Sequence, residues 1–163
     1  LTALGNSMSS YTAQNIGAGK TGRIKSGVKS LYFISFAITI PLFILFFFFP
    51  QLMMKIFVGA NDIEIINSGI AFLKTVSPFY LFISNKLIID GVLRGSGVMK
   101  MFMVSTFSDL FLRVFLCYTL TKFFNESGIW YSWPAGWLLA TVISCSFYFS
   151  GKWKKNINNL AEK

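Results

Sequence analysis

Residues Ser30 to Met54 read SLYFISFAITIPLFILFFFFPQLMM, 25 consecutive positions without a charged side chain. An α-helix rises about 1.5 Å per residue, so about 20 apolar residues carry it across the roughly 30 Å of hydrocarbon in a bilayer. This stretch is long enough to span. A cleaved secretory signal is a poor account of it, because its apolar core is too long and no small-residue cleavage site follows Phe49.

Working outward, a second uncharged run of 25 residues extends from Ser127 to Gly151. Of the 163 residues, 54% are hydrophobic, 19 are Phe and only 13% are charged, whereas ordinary soluble domains have about 25% charged residues. The chain therefore reads as all-α and polytopic, with the lipid bilayer as its solvent. Four spans are expected, near 22–57, 62–94, 101–124 and 130–153, with residues 154–163 as a soluble tail. The turns between them are GAND at Gly59–Asp62, where Asn61 or Asp62 would cap the next helix, the short loop GSGVMK at Gly95–Lys100, and NESG at Asn125–Gly128. Pro41 and Pro50 interrupt the first span, and Pro78 kinks the second. WYSWPAGW at 130–137 clusters Trp and Tyr as an interfacial belt. Because the chain begins with Leu1, it is expected to be the end of a longer protein.

A net charge of +9 would suggest nucleic acid as a partner of a soluble protein, but here the positions of the charges decide. Four crossings place ten of the fifteen bases on one side: Lys20, Arg23, Lys25, Lys29, Arg94, Lys100, Lys152, Lys154, Lys155 and Lys163. The other side has Lys55 and Lys122 beside Asp62, Glu64 and Glu126. The positive-inside rule makes the basic side, with the loop at 17–29 and the C-terminus, cytoplasmic. No nucleic-acid partner is expected. With no His, and with Cys117 and Cys145 each inside an apolar stretch, metal ligation and histidine catalysis lack their usual residues, and no enzyme is expected.

GAGKTG at Gly17–Gly22 spells GxGxxG, yet no β-branched strand precedes it and no acid lies about twenty residues on. The P-loop pattern also fails, since Gln14 stands where its first glycine belongs. The glycines serve the backbone. Gly17 and Gly19 let a turn follow a helix end closely, and Gly91, Gly95 and Gly97 allow close helix approach or a tight turn, with Gly91 and Gly95 at small-xxx-small spacing.

The first and last spans carry no charge through their cores, which makes them the lipid-facing pair. The second carries Lys74, Lys86, Asp90 and Arg94, and the third Asp109 and Arg113. A charge at the centre of a membrane helix costs about 2.5–3.5 kcal/mol on insertion scales, so such residues turn inward toward partners. Lys86, Asp90 and Arg94 fall at i, i+4, i+8, and Asp109 and Arg113 at i, i+4, with Ser105 extending the second stripe. Counted from the Gly95 loop, Lys86 and Asp109 are level, so a contact between them is expected. Lys74 is expected to snorkel at the far surface. The four inner charges either fix helix register as neutral pairs or include a carboxylate that titrates or binds a cation; Asp109 precedes Asp90 as that candidate, being deeper. Phe79, Tyr80 and Phe82 are candidates for lining a substrate cavity.

The runs SSYTAQNIGAGKTGRIKSG at 9–27, GVLRGSG at 91–97, SDLFLRV at 108–114, GIWYSWPAGW at 128–137 and GKWKK at 151–155 together resemble the multidrug and toxic compound extrusion (MATE) transporters. Gln14, Gly17, Gly19 and Arg23 match that family's cytoplasmic-loop signature, and Arg94 and Gly95 its later motif. The resemblance implies a twelve-helix plasma-membrane protein of two six-helix bundles. Such a protein exchanges small organic, often cationic, substrates for Na+ or H+ by alternating access. This chain would hold the last four helices and the end of the one before, and its partners would include the missing N-terminal helices. Some members place a cation-binding acid eleven residues before the arginine of the LRG motif; here that position is Ile83, so the resemblance gives the coupling role to neither Asp90 nor Asp109. Two rival functions are a lipid or polysaccharide flippase of the same wider superfamily and a non-transporting membrane subunit whose GVLRG surface packs a partner helix.

Overall fold

A computed structural model of the chain describes residues 1–58 and 62–161. The described residues form helices α1 (Thr2–Gly17), α2 (Arg23–Phe48), α3 (Pro50–Phe57), α4 (Ile63–Val76), α5 (Tyr80–Gly95), α6 (Met99–Phe124), α7 (Glu126–Phe149) and α8 (Lys152–Ala161). A 3₁₀ turn, Ser77–Phe79, joins α4 to α5 around Pro78. The fold is that of an all-α membrane protein. Among the described residues, three segments are long and apolar enough to cross a bilayer: Arg23–Phe48, Ile63–Gly95 and Met99–Phe124. The 24-residue α7 is also long enough, but its Trp, Tyr, Ser, Gly and Pro residues lower its mean hydropathy.

Several boundaries depart from the expected spans for local reasons. The first span is not continuous over 22–57. Phe49 leaves the helical region (φ −122°, ψ 42°) and Pro50 opens α3 at a first-turn position, where its missing N–H costs nothing. The last span starts at Glu126 rather than near residue 130, because Asn125 takes a positive φ of 51° and turns the chain at once. Asp62 flanks α4 without a side-chain cap bond; Gly59 to Asn61, like Lys163, lie outside the described residues. The expected soluble tail is instead α8, with Trp153 and Ile157 buried.

The helices α1 and α5 end in the same way. At Gly19 (φ 69°), the N–H of Lys20 reaches the Asn15 carbonyl at 2.8 Å and that of Gly19 reaches Ile16 at 3.0 Å. At Gly97 (φ 75°), the N–H of Val98 reaches Leu93 and that of Gly97 reaches Arg94, both at 3.0 Å. Each is a Schellman closure with a left-handed glycine just past the helix. Gly19 belongs to the nucleotide-like pattern, and its use is to let the backbone satisfy helix carbonyls. Gly97→Ala should therefore lower stability by about 1–2 kcal/mol, the left-handed penalty of a Cβ, while Gly17→Ala, which meets nothing within 4 Å, should be neutral. Thermal unfolding of the full-length polypeptide in detergent checks both; equal losses would remove the capping account.

In the packing order, α7 separates its neighbours. It lies along α6 over most of its length and against α5, while α5 and α6 touch little beyond their shared loop. On its other faces α5 meets α1 and α2. The apolar core sits near the Gly19–Gly97 end, where Met8, Ile24, Val28, Ile88, Ile89, Val92 and Leu93 meet Trp153 and Ile157 of α8. Of the two spans expected to face lipid, α2 does so, with Phe33 and Phe48 exposed, but α7 does not. α6, with its exposed Phe107, Phe111 and Tyr118, is peripheral, whereas α7 buries Ser132, Gly136, Ala140 and Ser144, a stripe at i, i+4 spacing that admits two close neighbours.

Candidate functional site

The site is built on α5, which approaches α1 closely enough to exclude side chains. A Cβ on Gly91 would lie 2.4 Å from the Gly5 carbonyl oxygen, one on Gly95 2.4 Å from that of Ser9, and one on Gly5 2.7 Å from that of Leu87. Arg94 closes this contact by donating from Nη2 to Asn6 Oδ1 at 3.2 Å, with its guanidinium 5.1 Å from the Phe102 ring centroid. Such an approach needs glycine on both helices.

The opposite face of α5 carries a buried polar chain. Lys86 Nζ donates to Asp90 Oδ2 at 2.6 Å, and the two residues are only 4% and 1% exposed. Ser144 of α7 donates to Asp90 Oδ1 at 2.6 Å. Ser105 of α6 lies 2.6 Å from Ser144 Oγ and 3.2 Å from the Ala140 carbonyl oxygen. With the single Ser144 proton given to Asp90, the single Ser105 proton is shared between Ser144 Oγ and the Ala140 carbonyl oxygen. Both carboxylate oxygens of Asp90 are thus engaged, and three helices are tied through one hydroxyl pair.

Asp109 and Arg113 of α6 form the second ion pair, with Arg113 Nη2 to Asp109 Oδ2 at 2.7 Å. The guanidinium stacks over Trp133 of α7 at 4.9 Å. Here the carboxylate is not saturated. Asp109 Oδ1 is buried without a hydrogen-bond partner among the described residues, and it faces Gly136, where a Cβ would come within 2.4 Å of it. The glycine leaves just the room the oxygen occupies.

The expected contact between Lys86 and Asp109 is not formed: each pairs with the residue four positions away on its own helix. The short loop does make α5 and α6 antiparallel, but α7 packs between them, so level residues on the two helices are kept apart by a third. Ser105 and Ser144 bridge the gap instead. Ser144 and Gly136 have a signal in the sequence, the Ser132, Gly136, Ala140, Ser144 repeat, since small residues every fourth position mark a closely packed helix face; Trp133 lies outside that repeat, in the aromatic cluster at 130–137.

Tyr80 opens α5 with its ring 6.1 Å from both the Phe46 and Trp137 centroids. Phe82 borders a groove of about 450 Å³ between α2 and α5, where Tyr32 donates to Asn85 Oδ1. Lys74 is exposed. Of the loop-motif residues, Gln14 and Arg23 are exposed and enter the turn through their backbones, Gln14 accepting from the Ala18 N–H and Arg23 donating its N–H to the Lys20 carbonyl, both at 3.0 Å. Gly17 is the last helical residue and meets no neighbour. Among the described residues, no three of His, Cys, Asp and Glu gather as metal ligands.

The MatE family model matches residues 1–119. The chain is 25% identical over 142 residues to the probable multidrug resistance protein NorM of Thermotoga maritima, covering 85% of the chain and 30% of that protein. Two Bacillus subtilis proteins, the probable multidrug resistance proteins YoeA and YpnP, are 24% and 22% identical over 98% and 93% of the chain and 35% and 34% of their own lengths. The chain thus spans about a third of the length of these curated relatives. No solved structure matches with comparable significance.

Proposed function

Because the chain belongs to the MatE family, we propose that it is part of the second helix bundle of a transporter that carries organic, often cationic, compounds out of the cytoplasm in exchange for Na+ or H+. The names of its relatives favour efflux of drugs. In this reading the side holding Lys20, Arg23, Lys25, Lys29, Lys100 and Lys152 faces the cytoplasm of a cell-membrane protein, as the positive-inside rule requires. The upstream helices of the full polypeptide complete the cavity.

The observation that carries ion coupling is the unshared oxygen of Asp109. Asp90 has both oxygens engaged by Lys86 and Ser144, so accepting a proton or a cation there breaks an existing bond. At Asp109 one oxygen is held by Arg113 while the other is buried and unpartnered, so a proton can be accepted on that second oxygen without displacing a partner from it. Protonation would also loosen Arg113, whose guanidinium rests on Trp133, and so pass the change from α6 to α7. Intramembrane carboxylates with this freedom are the usual elements of ion paths.

The test is uptake of a fluorescent organic cation into everted vesicles containing the full-length polypeptide, driven in turn by a Na+ gradient and by a pH gradient. Asp109→Asn is expected to lower uptake driven by the coupling gradient at least about tenfold, the factor that 1.4 kcal/mol represents, with protein abundance unchanged. Uptake equal to the unsubstituted protein under both gradients would remove Asp109 from the coupling role.

A further inference from the structure

The basic end of the molecule holds a cleft that the transport reading leaves without a use. It lies between the start of α2 and α8, is lined by Thr21, Gly22, Lys25, Trp153, Lys154 and Ile157, and measures about 510 Å³. Trp153 and Ile157, one turn apart, are 3% and 4% exposed and belong to the same core as Ile24 and Val28. Trp153 is fixed further by its Nε1 donating to the Tyr148 carbonyl at 2.9 Å, and Asn156 anchors α8 to the Ser96 carbonyl at 2.8 Å. The helix is therefore docked, and Lys25 and Lys154 are both exposed beside a rigid apolar wall. Among the described residues neither lysine has a carboxylate partner, and the first turn of α2 has no acid.

A second feature continues from the first. Lys25, Lys29, Tyr32, Phe33 and Phe36 fall on one face of α2 at i, i+4, i+7, i+8, i+11. The lower members of that stripe form, with Leu81 and Phe82 of α5, the apolar groove of about 450 Å³. From Lys25 to Phe36 the stripe descends about 16 Å along the helix. A charged head and an elongated apolar body are thus joined along one helix face.

We propose that this surface binds one anionic phospholipid. Its phosphate sits between Lys25 and Lys154 at the edge of Trp153, with Lys29 below, and one acyl chain lies in the groove between α2 and α5. Charge complementarity selects the anionic headgroup, as for basic pockets between membrane helices generally. The proposal rests on the bilayer placement of the chain and is independent of the transported substrate and the coupling ion.

Native mass spectrometry of the delipidated full-length polypeptide decides the matter. Dioleoyl phosphatidylglycerol, dioleoyl phosphatidylcholine and chainless glycerol phosphate are added separately. One phosphatidylglycerol should be retained in preference to phosphatidylcholine, and K25A/K154A should weaken its binding roughly thirtyfold, the loss of two surface lysines. K55A/K122A, on the opposite side of the molecule, should leave it unchanged. Equal retention of the two lipids, undiminished phosphatidylglycerol binding in K25A/K154A, or glycerol phosphate binding as tightly as the lipid would each overturn the proposal, the last by reducing the surface to a simple anion site.

Discussion

Lys86→Met is expected to destabilise the full-length polypeptide by about 3–5 kcal/mol, the cost of stranding one member of a buried ion pair. Asp90 is 1% exposed, and in the variant its charge would have only the Ser144 hydroxyl, 2.6 Å away. Burial in a membrane bundle supplies no water to replace the lost ammonium, and a partner cannot come from Asp109, which is tied to Arg113. Asp90→Leu should cost a similar amount for the converse reason, leaving Lys86 charged at 4% exposure. The paired variant Lys86→Met/Asp90→Leu should recover most of the loss, because removing both charges also removes their desolvation cost. Unfolding by SDS titration in mixed micelles gives the three free energies and hence the coupling. Single substitutions that each cost under about 1 kcal/mol would mean that the pair is hydrated and behaves as a surface ion pair. The same experiment separates the two acids: a large, reciprocal coupling assigns Asp90 to fold specification and leaves Asp109 as the one with capacity to spare.

What could be read beforehand follows from which interactions are local. The apolar run at Ser30–Met54, the interruption at Pro78 and the i, i+4 spacings of Lys86 with Asp90 and Asp109 with Arg113 depend on helix geometry alone, and a single sequence displays helix geometry directly. A Lys86–Asp109 contact depends instead on which helices touch, and the two residues pair within their own helices. A short loop fixes direction, not adjacency, and α7 with its stripe of Ser132, Gly136, Ala140 and Ser144 inserts where α6 was expected. Charge is one mark of an inward-facing helix, yet in hydrocarbon small side chains mark a packed helix equally well, since lipid is as apolar as any core residue and close contact drives association. α8 was missed for a different reason. KWKKNINN has few apolar residues, and only the i, i+4 placement of Trp153 and Ile157 makes it a helix that docks rather than a solvated tail.

Gly91→Leu should be the most damaging single change on the α1–α5 contact, costing about 3 kcal/mol or more, the upper range of overpacking. The neighbours a Cβ would meet there are the Gly5 carbonyl oxygen at 2.4 Å, Met8 Cβ at 2.8 Å and the Ser9 backbone nitrogen at 3.2 Å. Two of these three atoms belong to the backbone of another helix, so no rotamer change relieves the clash and the helices must separate. Separation is costly in turn, because Ile88, Val92 and Leu93, all fully buried, share that interface with Met8, and Arg94 would lose Asn6. Gly91→Ala should fall lower, about 1–3 kcal/mol, and Gly17→Ala near zero, so that the two Ala variants differ only in the room available and the two Gly91 variants only in the size of the added side chain. Helix α5 also positions Asp90 against Ser144, so displacement from α1 should be felt on its far face as weaker burial of the Lys86–Asp90 pair. Combining Gly91→Ala with Lys86→Met should therefore cost less than the sum of the separate losses. Strict additivity would show instead that the two faces of α5 respond independently, and that the glycine contact holds α1 without setting the geometry of the charged network.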